Sequence, residues 1–284
     1  MKKIDGRALA RRIHEKTKNT IAQTGVTPGL SVILVGDNAS SRLYVGLKEQ
    51  AAQDAGIAVT KHFYDGDTPE ADVLTQMRVL NYDTATHAII VQLPMPKQID
   101  QYHVIATMDP AKDVDGFHPD TISLFQRGAE THTPVLVKAI MALIHETGEA
   151  IAHKSAVILA NSTTFADPVR IALEREKVHV KIFAPTPQTI PASTKEADII
   201  ITALGRPHTI NRDMVKPGVI IIDIGITTLP GGKVVGDVDY QKMKDIDGFI
   251  TPVPYGVGPV TIEMLLSNTT ELALKQANTH EKSN

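Results

Sequence analysis

The chain of 284 residues contains no cysteine, which excludes disulfides, thiolate metal sites and cysteine nucleophiles. It has no excess of positive charge: 29 Lys and Arg stand against 32 Asp and Glu, a net charge of −3. That balance argues against a protein that grips duplex nucleic acid through a basic face. No apolar run approaches about 18 uninterrupted residues, so no membrane span is expected. The start Met1-Lys2-Lys3-Ile4-Asp5-Gly6-Arg7 leads into no apolar stretch, and charges return at Arg11, Arg12 and Glu15, so no cleaved signal peptide is expected either. The histidines are scattered, and His145-Glu146 has no second His one helical turn further on, so no metal is expected. There is no internal repeat and no low-complexity tract. What is present, 42% apolar and 21% charged residues, suits a cytoplasmic globular protein of one large or two ordinary domains.

Short β-branched apolar runs recur at residues 30–35, 87–93, 155–160, 178–183, 198–204 and 219–224. Each is too short for a typical helix and apolar on both faces, as in a strand buried in a parallel sheet. Helical patterns at 40–55, 69–81, 135–146 and 168–177 lie between them. This alternation predicts an α/β fold with sites at the carboxyl ends of the strands. Residues 109–134, rich in Asp, Gly, Pro, Thr and His, interrupt it and mark a junction between two α/β domains. A last apolar helix pattern, 260–275, follows a Pro/Gly loop.

Four segments can carry chemistry. In Gly36-Asp37-Asn38-Ala39-Ser40-Ser41-Arg42-Leu43-Tyr44-Val45-Gly46-Leu47-Lys48 a strand ends in a turn, and Ser40 or Ser41 is expected to cap the next helix. Tyr44 and Lys48 then share one face, a turn apart. A phenol beside an amine suits proton transfer, because partial burial brings a lysine into a usable range. The same spacing also describes an amphipathic helix with Tyr44 packed and Lys48 snorkelling. Gln92, which ends the apolar strand before Leu93-Pro94-Met95-Pro96, can orient a lysine or a polar ring edge, or only satisfy its own loop.

In Asp109-Pro110-Ala111-Lys112-Asp113-Val114-Asp115-Gly116-Phe117-His118 two carboxylates two apart can meet a guanidine-like ring edge, or form a solvated acidic turn or a series of Asx turns. In Thr251-Pro252-Val253-Pro254-Tyr255-Gly256-Val257-Gly258-Pro259 the glycines admit close backbone approach to a ligand, and a rigid connecting loop fits equally. Thr261 replaces the third glycine of a dinucleotide fingerprint, so this segment is not one.

Taken together and in this order, the motifs resemble the bifunctional methylenetetrahydrofolate dehydrogenase/methenyltetrahydrofolate cyclohydrolase family (FolD). The resemblance runs from Ile4-Asp5-Gly6 to Asn268-Thr269. It is strongest at Ser41-x-x-Tyr44-Val45-x-x-Lys48, Val91-Gln92-Leu93-Pro94-x-Pro96, Lys112–Phe117 and Thr251-Pro252-Val253-Pro254, with Lys216-Pro217-Gly218, Asp223-x-Gly225-Ile226 and Gly236-Asp237-Val238-Asp239. The resemblance implies an N-terminal catalytic domain (residues 1–119 with 264–284), a Rossmann-like NAD(P) domain (120–263), a folate cleft between them, and a homodimer with no nucleic-acid or membrane partner. It implies Lys48 as the catalytic lysine, with Tyr44 lining the folate site and Gln92 holding Lys48. Asp115 would bind the pterin, with Pro252 and Gly256 also at the substrate. Ala160, Asn161, Ser162, Thr163 and Ile226 would meet NADP, with NAD as the other candidate cofactor. The implied reaction oxidises 5,10-methylenetetrahydrofolate to the methenyl compound and hydrolyses that to 10-formyltetrahydrofolate, in one-carbon metabolism and purine biosynthesis.

The departures fall on the nucleotide side. Where the family reads Gly-Arg-Ser-x-x-Val-Gly-x-Pro, this chain has Ala160-Asn161-Ser162-Thr163-Thr164-Phe165-Ala166-Asp167-Pro168. Each glycine gains a Cβ where a pyrophosphate would approach, the arginine for a 2′-phosphate becomes Asn161, and Asp167 adds repulsion. Phe183-Ala184-Pro185 replaces Cys-His-Ser, Thr131-His132-Thr133-Pro134-Val135-Leu136 replaces Pro-Cys-Thr-Pro-x-Gly, and Tyr255 replaces a glycine and would crowd the nicotinamide pocket. The leading expectation is the bifunctional enzyme. Its alternatives are a cyclohydrolase with little dehydrogenase activity and a non-catalytic folate-binding paralogue.

Overall fold

The computed structural model describes residues 1–129, 131–186 and 190–283. The chain lays down β1 (Lys2–Lys3) and α1 (Gly6–Thr24), then alternates β2 (Gly29–Val35), α2 (Ala39–Ala55), β3 (Ala58–Tyr64), α3 (Glu70–Tyr82), β4 (Ala88–Val91), α4 (Gln101–Thr107) and α5 (Pro119–Arg127). After α6 (Val135–His145) come β5 (Ser155–Ala160), α7 (Thr163–Arg175), β6 (His179–Phe183), β7 (Ile199–Ala203) and β8 (Val219–Asp223). The chain closes with β9 (Thr227–Thr228), β10 (Val234–Val235), α8 (Tyr240–Met243), β11 (Gly248–Ile250) and α9 (Val257–Ser283). The two compact units are Arg11–Val135 with Ile262–Asn284, and Met1–Ala10 with Leu136–Thr261.

The unit holding residues 11–135 is built on a parallel sheet of order β3-β2-β4. Every residue of β2 is buried, which is why it reads as a continuous apolar run, and Ile33 pairs with His62 on one side and Val91 on the other. The edge strand β3 was not anticipated. Its sequence Ala-Val-Thr-Lys-His-Phe-Tyr is mostly solvent-facing, so no apolar run betrays it. Val73 and Met77 of α3 and Val104 of α4 close the core against Ile33 and Ile89.

The other unit has a six-stranded parallel sheet of order β1-β11-β8-β7-β5-β6, with β9 and β10 as a separate antiparallel pair. Its core joins Val157, Leu159, Ile200 and Ile221 to Met243 and Ile250. From β5 the chain goes outward to β6 and then returns to β7 on β5's other side. The crevice above the carboxyl ends of β5 and β7 is therefore a topological switch point, where open parallel sheets bind ligands.

The structure moves some of the expected boundaries. Lys2 and Lys3 pair with Phe249 and Ile250 of β11, which puts the first ten residues with the six-stranded sheet. The junction falls at 135/136 and not at 119/120. The connecting loop stays with the first sheet, Val135 N donating to Asp115 O at 3.1 Å, and a Cβ on Gly116 would collide with Pro134. Helix α7 starts at Thr163, ahead of Pro168, which sits inside it as its sixth residue, where it removes one intrahelical hydrogen bond. Among the described residues no helix is long and apolar enough to cross a membrane.

Candidate active site

Strand β2 is followed by Gly36, at φ +90°, and Asn38 caps α2 by accepting a hydrogen bond from Ser41 N at 3.0 Å. The cap is thus neither Ser40 nor Ser41. Both lie inside a helix that begins at Ala39, and Ser41 is buried against the sheet. The same buried face carries Val45, Lys48, Ala52 and Ala55, so Lys48 is only 7% exposed. Parallel pairing of β2 with β4 brings their carboxyl ends side by side, and Gln92 N donates to Ile33 O at 2.9 Å just past β4. Lys48 Nζ reaches across and donates to Gln92 Oε1 at 3.2 Å, while Gln92 Nε2 donates to Leu93 O at 2.8 Å. That second bond leaves the amide oxygen facing the amine. The Tyr44 ring centroid lies 5.3 Å from Nζ. The buried arrangement excludes the snorkelling alternative for Lys48.

The adjacent carboxylates divide the work. Asp113 has no exposed surface and accepts from the backbone N–H groups of Gly116 (3.0 Å), Phe117 (3.2 Å) and His118 (2.7 Å). It folds the loop, which adds Asp113 beside Ile89 of β4. Lys112 is also structural, its Nζ donating to Leu80 O and Asp83 O, each at 2.7 Å. Asp115, in the turn that Asp113 closes, is close enough to Lys48 for the two charges to act on each other. Burial lowers the Lys48 pKa against the pull of Asp115. Burial raises that of Asp115, which Lys48 opposes and Asp113 reinforces. Tyr44, Lys48, Gln92 and Asp115 thus converge in one unit, as a buried amine within reach of a carboxylate and held by a polar amide.

Pro252, Gly256 and the nucleotide candidates belong to the other unit. Gly256 is required by its own loop, since a Cβ there would meet Pro252 O and the Thr251 side chain. Tyr255 adopts φ +78°, a left-handed conformation that favours glycine, and its ring stacks 3.5 Å from the Arg7 guanidinium. At the switch point, Ala160 and Ala166 are 2% and 0% exposed. Both are covered by protein, so neither methyl obstructs a ligand over α7. Asn161, Ser162, Thr163 and Thr164 are all exposed, and Ser162 makes no side-chain cap to the helix. Asp167 is engaged by Arg170 at 3.4 Å within the helix. Ile226, 67% exposed, follows β8. An open first helical turn at a switch point, with the added methyls turned inward, fits a dinucleotide.

Sequence reasoning did not anticipate what shapes this end. Buried Asp223 accepts from Gly225 N (3.0 Å), Asp237 N (3.1 Å) and Val238 N (2.9 Å), and burial pushes its pKa up to about 7. Asp237 in turn accepts from the Thr202 hydroxyl and Leu204 N (2.7 Å each) and from Arg206 N (2.8 Å). These interlocked carboxylates fix the loops after β7 and β8. The sequence signals were the motifs Asp223-x-Gly225-Ile226 and Gly236-Asp237-Val238-Asp239, whose carboxylates carried no role until the structure interlocked them.

One α/β unit centred on a buried amine and another open at a dinucleotide crevice define a nucleotide-dependent enzyme. Residues 4–115 match the family model for the catalytic domain of tetrahydrofolate dehydrogenase/cyclohydrolase, and residues 134–277 the model for its NAD(P)-binding domain. The chain belongs to the tetrahydrofolate dehydrogenase/cyclohydrolase family. It is 40% identical over 273 residues to the bifunctional protein FolD of Polaromonas naphthalenivorans, covering 95% of this chain and 97% of that one. The bifunctional FolD methylenetetrahydrofolate dehydrogenase/cyclohydrolase of Campylobacter jejuni superposes with a TM-score of 0.91 at 35% identity, over 97% and 99% of the two chains. The Trypanosoma brucei methylenetetrahydrofolate dehydrogenase-cyclohydrolase, solved with NADP cofactor and an inhibitor, gives 0.90 at 31%, over 96% and 97%.

Proposed function

We propose that this chain oxidises 5,10-methylenetetrahydrofolate to 5,10-methenyltetrahydrofolate with NADP, and hydrolyses the product to 10-formyltetrahydrofolate. The observation that carries this reading is the buried Lys48 amine on Gln92, within electrostatic reach of Asp115. NADP, when bound, accepts the hydride that leaves the methylene carbon. The residues that would hold it are Asn161, Ser162 and Thr163 at the open turn of α7, Ile226 after β8, and the backbone of Ala160.

In the second reaction, water adds to the cationic methenyl carbon and loses a proton to the neutral Lys48 amine. The carbon–N5 bond then breaks as the hydroxyl proton leaves to solvent and the C=O forms, and N5 takes the first proton back from Lys48, leaving the formyl group on N10. A buried lysine is suited to this because burial favours its neutral form. Gln92 fixes the direction of the amine, and the Tyr44 ring covers one side of it. Asp115 accepts hydrogen bonds from the N–H groups along the pterin edge. Pro252 and Gly256, in the loop after β11, complete the set of proposed substrate-binding residues. The protein works as a cytoplasmic homodimer on tetrahydrofolate derivatives, with no nucleic-acid or membrane partner.

The test is nucleotide reduction by the purified protein with methylenetetrahydrofolate, NADP and NAD being run side by side. Reduction of NADP, with methenyl hydrolysis lost in Lys48→Ala, is the expected result. Silence with both nucleotides from folded protein would leave a cyclohydrolase alone, and absent hydrolysis as well would leave a folate-binding paralogue.

A further inference from the structure

Arg206 has no part in the chemistry above, yet it is a well-placed cation. It stands three residues past the end of β7, and its guanidinium extends over the end of β5 to that of β6. Nη2 donates to Asn161 Oδ1, next to β5, at 3.3 Å, and Nη1 donates to Pro185 O, just past β6, at 2.8 Å. The backbone beneath it is held at several points. Arg206 N and Leu204 N both donate to buried Asp237, and Asn161 Nδ2 donates to Leu204 O at 2.8 Å. The guanidinium is therefore positioned by a carbonyl and an amide, neither of which neutralises it. Among the described residues no carboxylate lies within 4.0 Å of it. A guanidinium has five N–H donors, and these partners occupy two, so a fork of donors stays available.

The place where it sits has a known meaning in this topology. A dinucleotide across the switch point puts its adenosine ribose beside the carboxyl end of the second strand, where an acid reads a 2′-hydroxyl and an arginine accommodates a 2′-phosphate. Here β5 is the first strand and β6 the second, and the residues that end β6, Phe183-Ala184-Pro185, supply no acid. The cation that reaches this end comes from the loop after β7. We infer that Arg206 binds the 2′-phosphate of NADP and makes the site select NADP over NAD. Asn161 positions the guanidinium and does not read the phosphate itself. The inference rests on the proposed dehydrogenase reading only for the nucleotide's orientation.

The test is binding, without folate, of NADP, NAD, 2′,5′-ADP and 5′-AMP to the wild type, Arg206→Gln and Arg206→Lys by calorimetry, with thermal melting to confirm that each variant is folded. The expected result is a roughly tenfold to hundredfold loss of NADP and 2′,5′-ADP affinity in Arg206→Gln. NAD and 5′-AMP should stay within about twofold, and Arg206→Lys, which keeps the charge but not the fork, should fall between. Equal losses for phosphorylated and unphosphorylated ligands, or unchanged NADP affinity, would overturn the inference, as would a wild type that binds neither fragment. The two readings separate cleanly. Arg206-dependent binding of 2′,5′-ADP by a protein that reduces no nucleotide would sustain this inference and sink the dehydrogenase. NADP reduction with unaltered KM in Arg206→Gln would do the reverse.

Discussion

Lys48 and Arg206 are both basic side chains beyond the carboxyl ends of parallel strands, but the molecule holds them by different means and to different ends. Lys48 rises from the buried face of a long helix and meets a side-chain amide in a neighbouring loop, so burial and the partner together tune whether it carries a proton. Arg206 stands in a loop between two strands, half-buried, and is aimed by a carbonyl and an amide. Its charge is permanent, because a guanidinium does not deprotonate in a protein. A proton-transfer site needs a group whose charge can change and must therefore own a particular residue at a particular depth. An anion site needs only donors in the right place, and any loop that reaches the spot can supply them. That difference accounts for a catalytic motif that reads cleanly in sequence beside a nucleotide loop that does not.

The sharpest way to break the comparison is to give Lys48 the permanent charge of Arg206. In Lys48→Arg, methenyl hydrolysis should fall by about 10³-fold, within the 10²–10⁴ range of general acid–base catalysis, since the new side chain cannot accept a proton. Absorbance of the methenyl substrate follows it, and retained hydrolysis would show that charge alone suffices. Next in size is Asp113→Ala, which strands the backbone donors of Gly116, Phe117 and His118. At about 1 kcal/mol for each bond it should lower stability by roughly 3 kcal/mol, read as an earlier denaturant midpoint. A midpoint like wild type would mean the loop carrying Asp115 does not depend on it.

The nucleotide-side unit offers a smaller electrostatic test. Burial would raise the Asp198 pKa, but Lys216 at 2.7 Å and the bonds from Ser155 outweigh it and hold the carboxyl at about 2, against an ordinary 3.8. A carboxyl held low in the folded state stabilises above its unfolded value and loses that stabilisation as pH falls from 3.8 towards 2. With screening of a partly exposed pair, the contribution is ~1–2 kcal/mol. Lys216→Met should remove most of it at pH 6 and flatten the acid loss, as measured by urea unfolding across pH. Wild-type acid sensitivity in the variant would refute the pairing.

Two subtler changes complete the series. Asp115 favours the charged form of Lys48, so Asp115→Asn should move the inflection of the hydrolysis pH–rate profile to lower pH, whatever it does to substrate affinity. An unmoved inflection would separate the two residues. Tyr255→Gly relieves a left-handed φ worth about 1 kcal/mol but removes stacking on Arg7 worth about the same, so the melting temperature should barely change. A large fall would mean that the ring contact dominates.

Much of the site near Lys48 was legible because its signals are local. A four-residue spacing puts Tyr44 and Lys48 on one helical face, and an apolar run ending in Gln92 predicts an amide at a strand's carboxyl end. The helix cap, edge strand β3 and the start of α7 were not, since competing residues with similar propensities stood nearby and one sheet face was polar. By spacing alone the carboxylates at 113 and 115 are alike, and only the resemblance singled out Asp115; the backbone hydrogen bonds show that Asp113 folds the loop.

By itself the sequence determined the alternation of strands and helices, the exclusion of thiol chemistry, and the residue types from which a proton-transfer site could be made, because periodicity and composition act over a few residues. Only the tertiary structure decided which groups meet. Lys48 reaches Gln92 through the parallel register of β2 on β4, and Arg206 reaches Asn161 and Pro185 because β7 and β6 flank β5. Charge, depth and reach are properties of neighbours, and neighbours distant in the chain are set by packing.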